Sequence, residues 1–170
     1  MYNIDDYKNK KNIEFDSRVV DIILTSELLV VILLRKTYVF KLAGLKCIDQ
    51  ISTCQNFKGL GALSCSDKPR NKLIVLPHKK IGELAIHFYG MGRTVDYVIK
   101  AHQSAINALA VNPPGTLISS ASERGTLVRI FGAESGNCLQ ELRRGTRPAA
   151  INDLIFHPNL NLLACSSDRT

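Results

Sequence analysis

The motif Ile106-Asn107-x-Leu109 returns as Ile151-Asn152-x-Leu154, an offset of 45 residues. The same offset pairs Pro113 with Pro158, Leu117 with Leu162, Ser122 with Ser167 and Arg124 with Arg169, and sets Asp168 against Glu123. Stretches that agree at so many positions at one spacing are copies of one supersecondary unit, and the unit length bounds what the chain can fold into. Helix signals are poor. Short β-branched runs replace any long stretch of 3.6-residue periodicity, so the unit is built from strands.

Predicted strands fall in groups of four. Arg18–Leu24, Leu28–Leu34, Thr37–Leu42 and Leu45–Thr53 form the first, joined by turn-like Thr25-Ser26-Glu27, Arg35-Lys36 and Ala43-Gly44. Gly59–Ser64, Lys72–Pro77, Gly82–Phe88 and Thr94–Ile99 form the second. Ala105–Val111, Thr116–Ala121, Thr126–Phe131 and Asn137–Leu142 form the third, and Ala150–Phe156 with Asn161–Ser166 opens a fourth. Leu28–Leu34 is apolar throughout, so it should be covered on both faces. Four short strands per unit of about 40–45 residues is the signature of WD-type β-propeller blades. The expected fold is all-β: one incomplete propeller over residues 1–170, with blades near 18–53, 59–99 and 105–142 and a partial one at 150–170. Blades bury their faces only against their neighbours. A chain with three and a fraction of them is expected to be a fragment, to leave two raw apolar faces and to be poorly soluble alone. Residues 1–12, polar and rich in Lys and Asn, read as a solvated loop.

Lys and Arg number 22 against 15 Asp and Glu, a formal charge of +7. That balance favours anionic partners, membrane lipid or nucleic acid, without choosing between them. Nucleic acid is not expected, because the strands carry few aromatics and no RNP-like aromatic pairs for base stacking. The longest apolar run, Leu28–Leu34, is far too short to span a bilayer, so membrane contact would be peripheral. The polar N-terminus does not read as a signal peptide. Cys47, Cys54, Cys65, Cys138 and Cys165 are scattered, with no Cys-x-x-Cys spacing. They point to reduced thiols in the cytosol, most of them small core residues. The Cys and His spacings match no zinc pattern, and no cofactor is implied. Neither Gly-x-Ser-x-Gly, His-Glu-x-x-His nor a phosphate-cradling Gly-x-x-x-x-Gly-Lys occurs, so no catalysis is expected.

One stretch carries candidate chemistry. Glu141-Leu142-Arg143-Arg144-Gly145 ends the last strand of the third group and lies between the repeat copies. Side chains alternate along a strand, so consecutive arginines serve opposite faces. A guanidinium is planar, always charged and matched to phosphate oxygens in bidentate fashion. Gly145 lets the chain turn sharply and a ligand approach the backbone. Two adjacent anion sites are one reading. A solvated basic strand end is the other, and the stretch by itself leaves both open.

Three segments together carry a resemblance. They are Ala101-His102-Gln103-Ser104, then Ser120-Ala121-Ser122-Glu123-Arg124-Gly125-Thr126-Leu127-Val128-Arg129-Ile130-Phe131, then Leu142-Arg143-Arg144-Gly145 followed by Thr146 and Pro148. In them the chain resembles the PROPPIN family, WD-repeat proteins that interact with phosphoinositides. The Leu-Arg-Arg-Gly form is most similar to the subgroup that acts with the lipid-transfer protein Atg-two in autophagy. The likeness is dense from Ala101 to Arg169 and looser from Arg18 to Ile99, where Asn56-x-Lys58-Gly59-Leu60 fits. It implies a seven-bladed parent, of which this chain would run from the end of the second blade into the sixth.

The resemblance also implies a function: binding of phosphatidylinositol 3-phosphate and the 3,5-bisphosphate at two rim sites. Recruitment from the cytoplasm to membranes at the phagophore assembly site, and a scaffold role with Atg-two, would follow. The matching positions are Ser120, Ser122, Gly125, Thr126, Arg129 and Arg143 for the first site, with His102 beside them, and Arg144, Gly145 and Ser167 for the second. The Thr and His that the family adds to its second site after the position of Arg169 are not matched here. Nor is the inserting loop of its sixth blade, so attachment is expected to be weak and reversible. The alternative is a protein–protein scaffold propeller without lipid binding, with residues near Arg18 to Leu42 in the region that meets Atg-two.

Overall fold

A computed structural model describes residues 12–64, 72–90, 93–159 and 161–168. The predicted loop before residue 12, Cys65 and Arg169 lie outside them. Among the described residues fourteen strands make three four-stranded antiparallel sheets and a hairpin. The first sheet is β1 (Val19–Leu24), β2 (Leu28–Leu33), β3 (Lys36–Lys41) and β4 (Lys46–Ser52). The second is β5 (Ala62–Leu63), β6 (Lys72–Pro77), β7 (Glu83–Gly90) and β8 (Arg93–Lys100). The third is β9 (Ile106–Val111), β10 (Leu117–Ser122), β11 (Leu127–Gly132) and β12 (Cys138–Arg143). The hairpin is β13 (Ile151–Phe156) with β14 (Leu163–Ser167). Each sheet is a meander in which strands adjacent in sequence pair. The first strand of the third sheet, β9, lies beside both β5 and β13. This is a partial β-propeller.

Period-two alternation feeds two interfaces from one strand. Leu28, Val30 and Ile32 of β2 join Ile74 and Leu76 of β6 between the first and second sheets. On the opposite side of β6, Leu73 and Val75 pack with Ile118 of β10 and Phe131 of β11. Ala121 and Val128 meet Ile151 and Leu154 between the third sheet and the hairpin. The outer face of the first sheet, expected to be raw, is covered. Leu29, Val31, Leu33 and Phe40 are buried with Ile13 and Phe15 against them. The Phe15 ring lies 5.2 Å from that of Tyr38 and 6.2 Å from that of Phe40. The residues just before β1 thus fold back over β2 and β3. Exposed apolar side chains include Ile22 and Leu24 of β1, Phe57 and Ile81 in loops, and Ile155 of β13 with Leu162.

The Ile-Asn repeat has a structural cause. In β1, β9 and β13 the ladder skips the second residue, Val20, Asn107 and Asn152. A bulge there adds local twist to the strand on which the next sheet stacks. Asn107 is buried, and its Nδ2 donates 2.8 Å to the Ile151 carbonyl, tying the third sheet to the hairpin at the bulge.

Two expectations fail for local reasons. The strand over Gly59–Ser64 shrinks to β5, because Asn56 captures the chain first. Its Nδ2 donates to Leu60 O at 2.9 Å and its Oδ1 accepts from Leu60 N–H at 2.8 Å. Gly59 then takes φ +67. The four described cysteines are not core residues. Cys47, Cys138 and Cys165 are exposed and Cys54 is half-buried. The exposed three lie on β4, β12 and β14, each of which pairs on one side only among the described residues.

Candidate functional site

The turn from β10 to β11 and the exit from β12 lie at one end of the third sheet. In that turn Glu123 N–H donates to Ala105 O and Gly125 N–H to Ser122 O, each at 2.9 Å. Gly125 has φ +58, and a Cβ on it would run into the Ala149 carbonyl oxygen. Glycine is what lets the turn sit against the chain leaving β12. Gly145, where the sequence suggests the sharp turn, has no positive φ and open space where a Cβ would stand.

Register decides which residues share a face. Ser120 pairs with Arg129, Arg129 with Glu141, and Leu127 with Arg143. Ser120, Ser122, Arg129, Glu141 and Arg143 therefore stand on one face by alternation. It is the face of Ile118 and Phe131, which turns toward the second sheet. Arg144 N–H donates to Thr126 O at 2.9 Å, extending the ladder one step and setting these two residues on the other face. That face turns toward the hairpin, where Ser167 stands opposite Ile151. Burial pushes the Cys165 thiol on β14 up, and the nearby Arg144 charge works against that rise. The structure thus gathers Ser120, Ser122, Arg129 and Arg143 with His102. It sets Thr126 with Arg144 on the side of Ser167, while the Gly125 turn borders both groups.

The two arginine environments differ. Arg144 Nε donates to Gly125 O at 2.7 Å and Nη2 to Arg147 O at 2.8 Å, so this side chain braces the loop. Arg143 is exposed at the end of edge strand β12. Arg129 Nε and Nη2 donate to the same Glu141 oxygen at 2.8 and 2.7 Å, and Nη1 donates to Ala101 O at 2.5 Å. Glu141 and the Ala101 carbonyl are the participants that sequence reasoning missed. The available signal was opposite charge on neighbouring predicted strands, with the register left open.

Ser120 is fully buried and Ser122 nearly so. His102 Nε2 lies 2.9 Å from Ser120 Oγ. Burial first, and the Arg129 charge second, hold the His102 imidazole down at about 4. It is a neutral wall of the site at physiological pH. Its ordinary value is 6.5, so the unfolded chain binds the proton more readily. The stability this contributes is full above 6.5 and is lost as pH falls from there through about 4. Urea unfolding is expected to show a lower midpoint near pH 5 than near pH 7, and His102→Gln to shrink that difference.

Buried hydroxyls, guanidinium groups and a glycine turn at one sheet end make an arrangement suited to an anion. Among the described residues no three His, Cys, Asp or Glu side chains gather as a metal site. Among them too, no helix is long and apolar enough to cross a membrane.

Comparison with known proteins accords with this architecture. The PROPPIN family profile matches residues 1–170, the whole chain. Autophagy-related protein 18e of Arabidopsis thaliana is 36% identical over 168 residues, covering 97% of this chain and 44% of that protein. Kluyveromyces lactis Hsv2 superposes with a TM-score of 0.84 at 21% identity, covering 98% of this chain and 51% of the other. KlAtg21, solved in complex with the coiled coil of AgAtg16, superposes with a TM-score of 0.72 at 24% identity, covering 91% and 51%. The chain spans about half the length of these relatives.

Proposed function

This chain belongs to the PROPPIN family, and from that premise we propose that it reads phosphorylated inositol lipids and brings a scaffold to membranes in autophagosome formation. The lipids are phosphatidylinositol 3-phosphate and the 3,5-bisphosphate. The observation that carries this reading is the division of Arg143 and Arg144 between opposite sheet faces beside one glycine turn. Arg143, with Arg129, Ser120 and Ser122, takes one phosphorylated headgroup. Arg144, with Gly145 and Ser167, takes a second. The bonds are charge-assisted, and the general attraction of a basic protein for anionic lipid adds to them. The protein works from the cytoplasm as a peripheral membrane component, with a lipid-transfer protein of the Atg-two type as partner. It catalyses nothing, and nucleic acid is not its ligand.

A scaffold without lipid is the second reading, and the coiled-coil complex of the similar KlAtg21 supports it. Competition separates the two. The chain is expected to float with vesicles containing phosphatidylinositol 3-phosphate, and soluble inositol 1,3-bisphosphate is expected to release it. An oligonucleotide of equal charge should release it far less. Equal release by both would reduce the interaction to general charge attraction. A folded chain that never floats would favour the scaffold.

A further inference from the structure

We propose that Glu141 limits how much phosphate charge the Arg129–Arg143 face accepts, biasing it toward a monophosphorylated headgroup over a bisphosphorylated one. This deepens the phosphoinositide reading and rests on it. Glu141 stands directly opposite Arg129 across the β11–β12 ladder. One of its oxygens takes both the Nε and the Nη2 donors of Arg129, at 2.8 and 2.7 Å. Arg143 follows two residues along the same strand, on the same face. The carboxylate is therefore paired with one guanidinium, on the face that also carries Arg143, and offsets one of the two positive charges there.

Glu141 is not alone in holding Arg129. The fully buried Ala101 residue supplies the carbonyl that takes Nη1 at 2.5 Å. The Arg129 and Glu141 side chains are 28% and 48% exposed, so their ion pair is at the surface and adds little to the fold. A guanidinium has five N–H donors. With these three contacts made, the outer Nη edge still offers donors to a phosphate. What Glu141 contributes is negative charge beside the incoming headgroup. Repulsion grows with the charge brought in, so a second phosphate is penalised more than a first.

The test is vesicle binding by the full 170-residue chain and two variants, Glu141→Gln and Glu134→Gln. The vesicles carry the 3-phosphate, the 3,5-bisphosphate or neither. Gln keeps an oxygen acceptor for Arg129 while removing the charge. Glu134 is exposed in the β11–β12 turn at the other end of the sheet, so its variant controls for net charge. Glu141→Gln is expected to tighten binding of the monophosphate about threefold and of the bisphosphate about tenfold. Soluble inositol bis- and trisphosphate headgroups should show the same change in ratio, which separates headgroup reading from attraction to the bilayer.

An equal gain for both lipids overturns the proposal. So does weaker binding, or a gain matched by Glu134→Gln. A parent that discriminates phosphoinositide vesicles while Glu141→Gln changes nothing overturns the Glu141 assignment alone. A parent that treats all three vesicles alike overturns the phosphoinositide reading and this inference with it.

Discussion

Gly125→Ala is expected to lower the unfolding free energy by about 2–4 kcal/mol, the sum of a left-handed backbone penalty and a backbone collision. Gly125 holds φ +58, where alanine costs roughly 1 kcal/mol by itself. The added Cβ would also strike the carbonyl oxygen of Ala149. That atom is main chain and has little freedom to move. Ala149 N–H donates to Arg124 O at 3.3 Å, and two residues on, the Ile151 carbonyl is held by Asn107. Relief would mean displacing the start of β13. The candidate site would be disturbed with it, because the Gly125 carbonyl positions Arg144. Gly145→Ala is the contrast. It has open space and no positive φ, so its effect on stability should stay within about 0.5 kcal/mol. Urea midpoints of the two variants against the parent check this. A Gly125→Ala protein that unfolds with the parent would mean that the turn does not press on Ala149.

The two neighbouring arginines should separate cleanly when each is changed to threonine. Arg144→Thr is expected to cost about 1–3 kcal/mol of stability, because the Gly125 and Arg147 carbonyls lose their charged donor. Arg143→Thr should leave stability within about 0.5 kcal/mol, since the side chain is exposed at a strand end. Its loss should appear in binding instead, as a drop of about tenfold or more in affinity for phosphatidylinositol 3-phosphate vesicles, the value of a charge-assisted phosphate contact. Thermal melts and vesicle titration of both single variants give the two readouts. Similar melting losses for both would mean that Arg143 also braces the loop.

Much of the architecture was legible in the sequence because it is written in period two. The all-apolar β2 announced two covered faces, and the 45-residue offset announced a repeated meander. The Ile-Asn repeat was visible as a motif, yet its meaning was not. A bulge is a register event, and register emerges only when the partner strand is placed. The cover over the first sheet was illegible for a similar reason: Ile13-Glu14-Phe15-Asp16 alternates too briefly to signal that its apolar pair packs.

In the candidate site, alternation alone divided Arg143 from Arg144. It could not reveal that Arg129 is engaged by Glu141, because that contact crosses a hairpin whose turn also admits other registers. It also could not locate the left-handed glycine. Both Gly125 and Gly145 stand in turn-like contexts, and only the close approach of Ala149 shows which one must lack a side chain.

The central claim is that the arginine pair reads the lipid. Flotation tests it most directly, on vesicles with and without phosphatidylinositol 3-phosphate, comparing the parent chain with its Arg143→Thr/Arg144→Thr double variant. Circular dichroism on both establishes that each is folded. The expected result is a parent that floats only with the phosphoinositide and a folded double variant that stays at the bottom of the gradient. A folded parent indifferent to the lipid would contradict the claim, as would a folded double variant that floats as well as the parent.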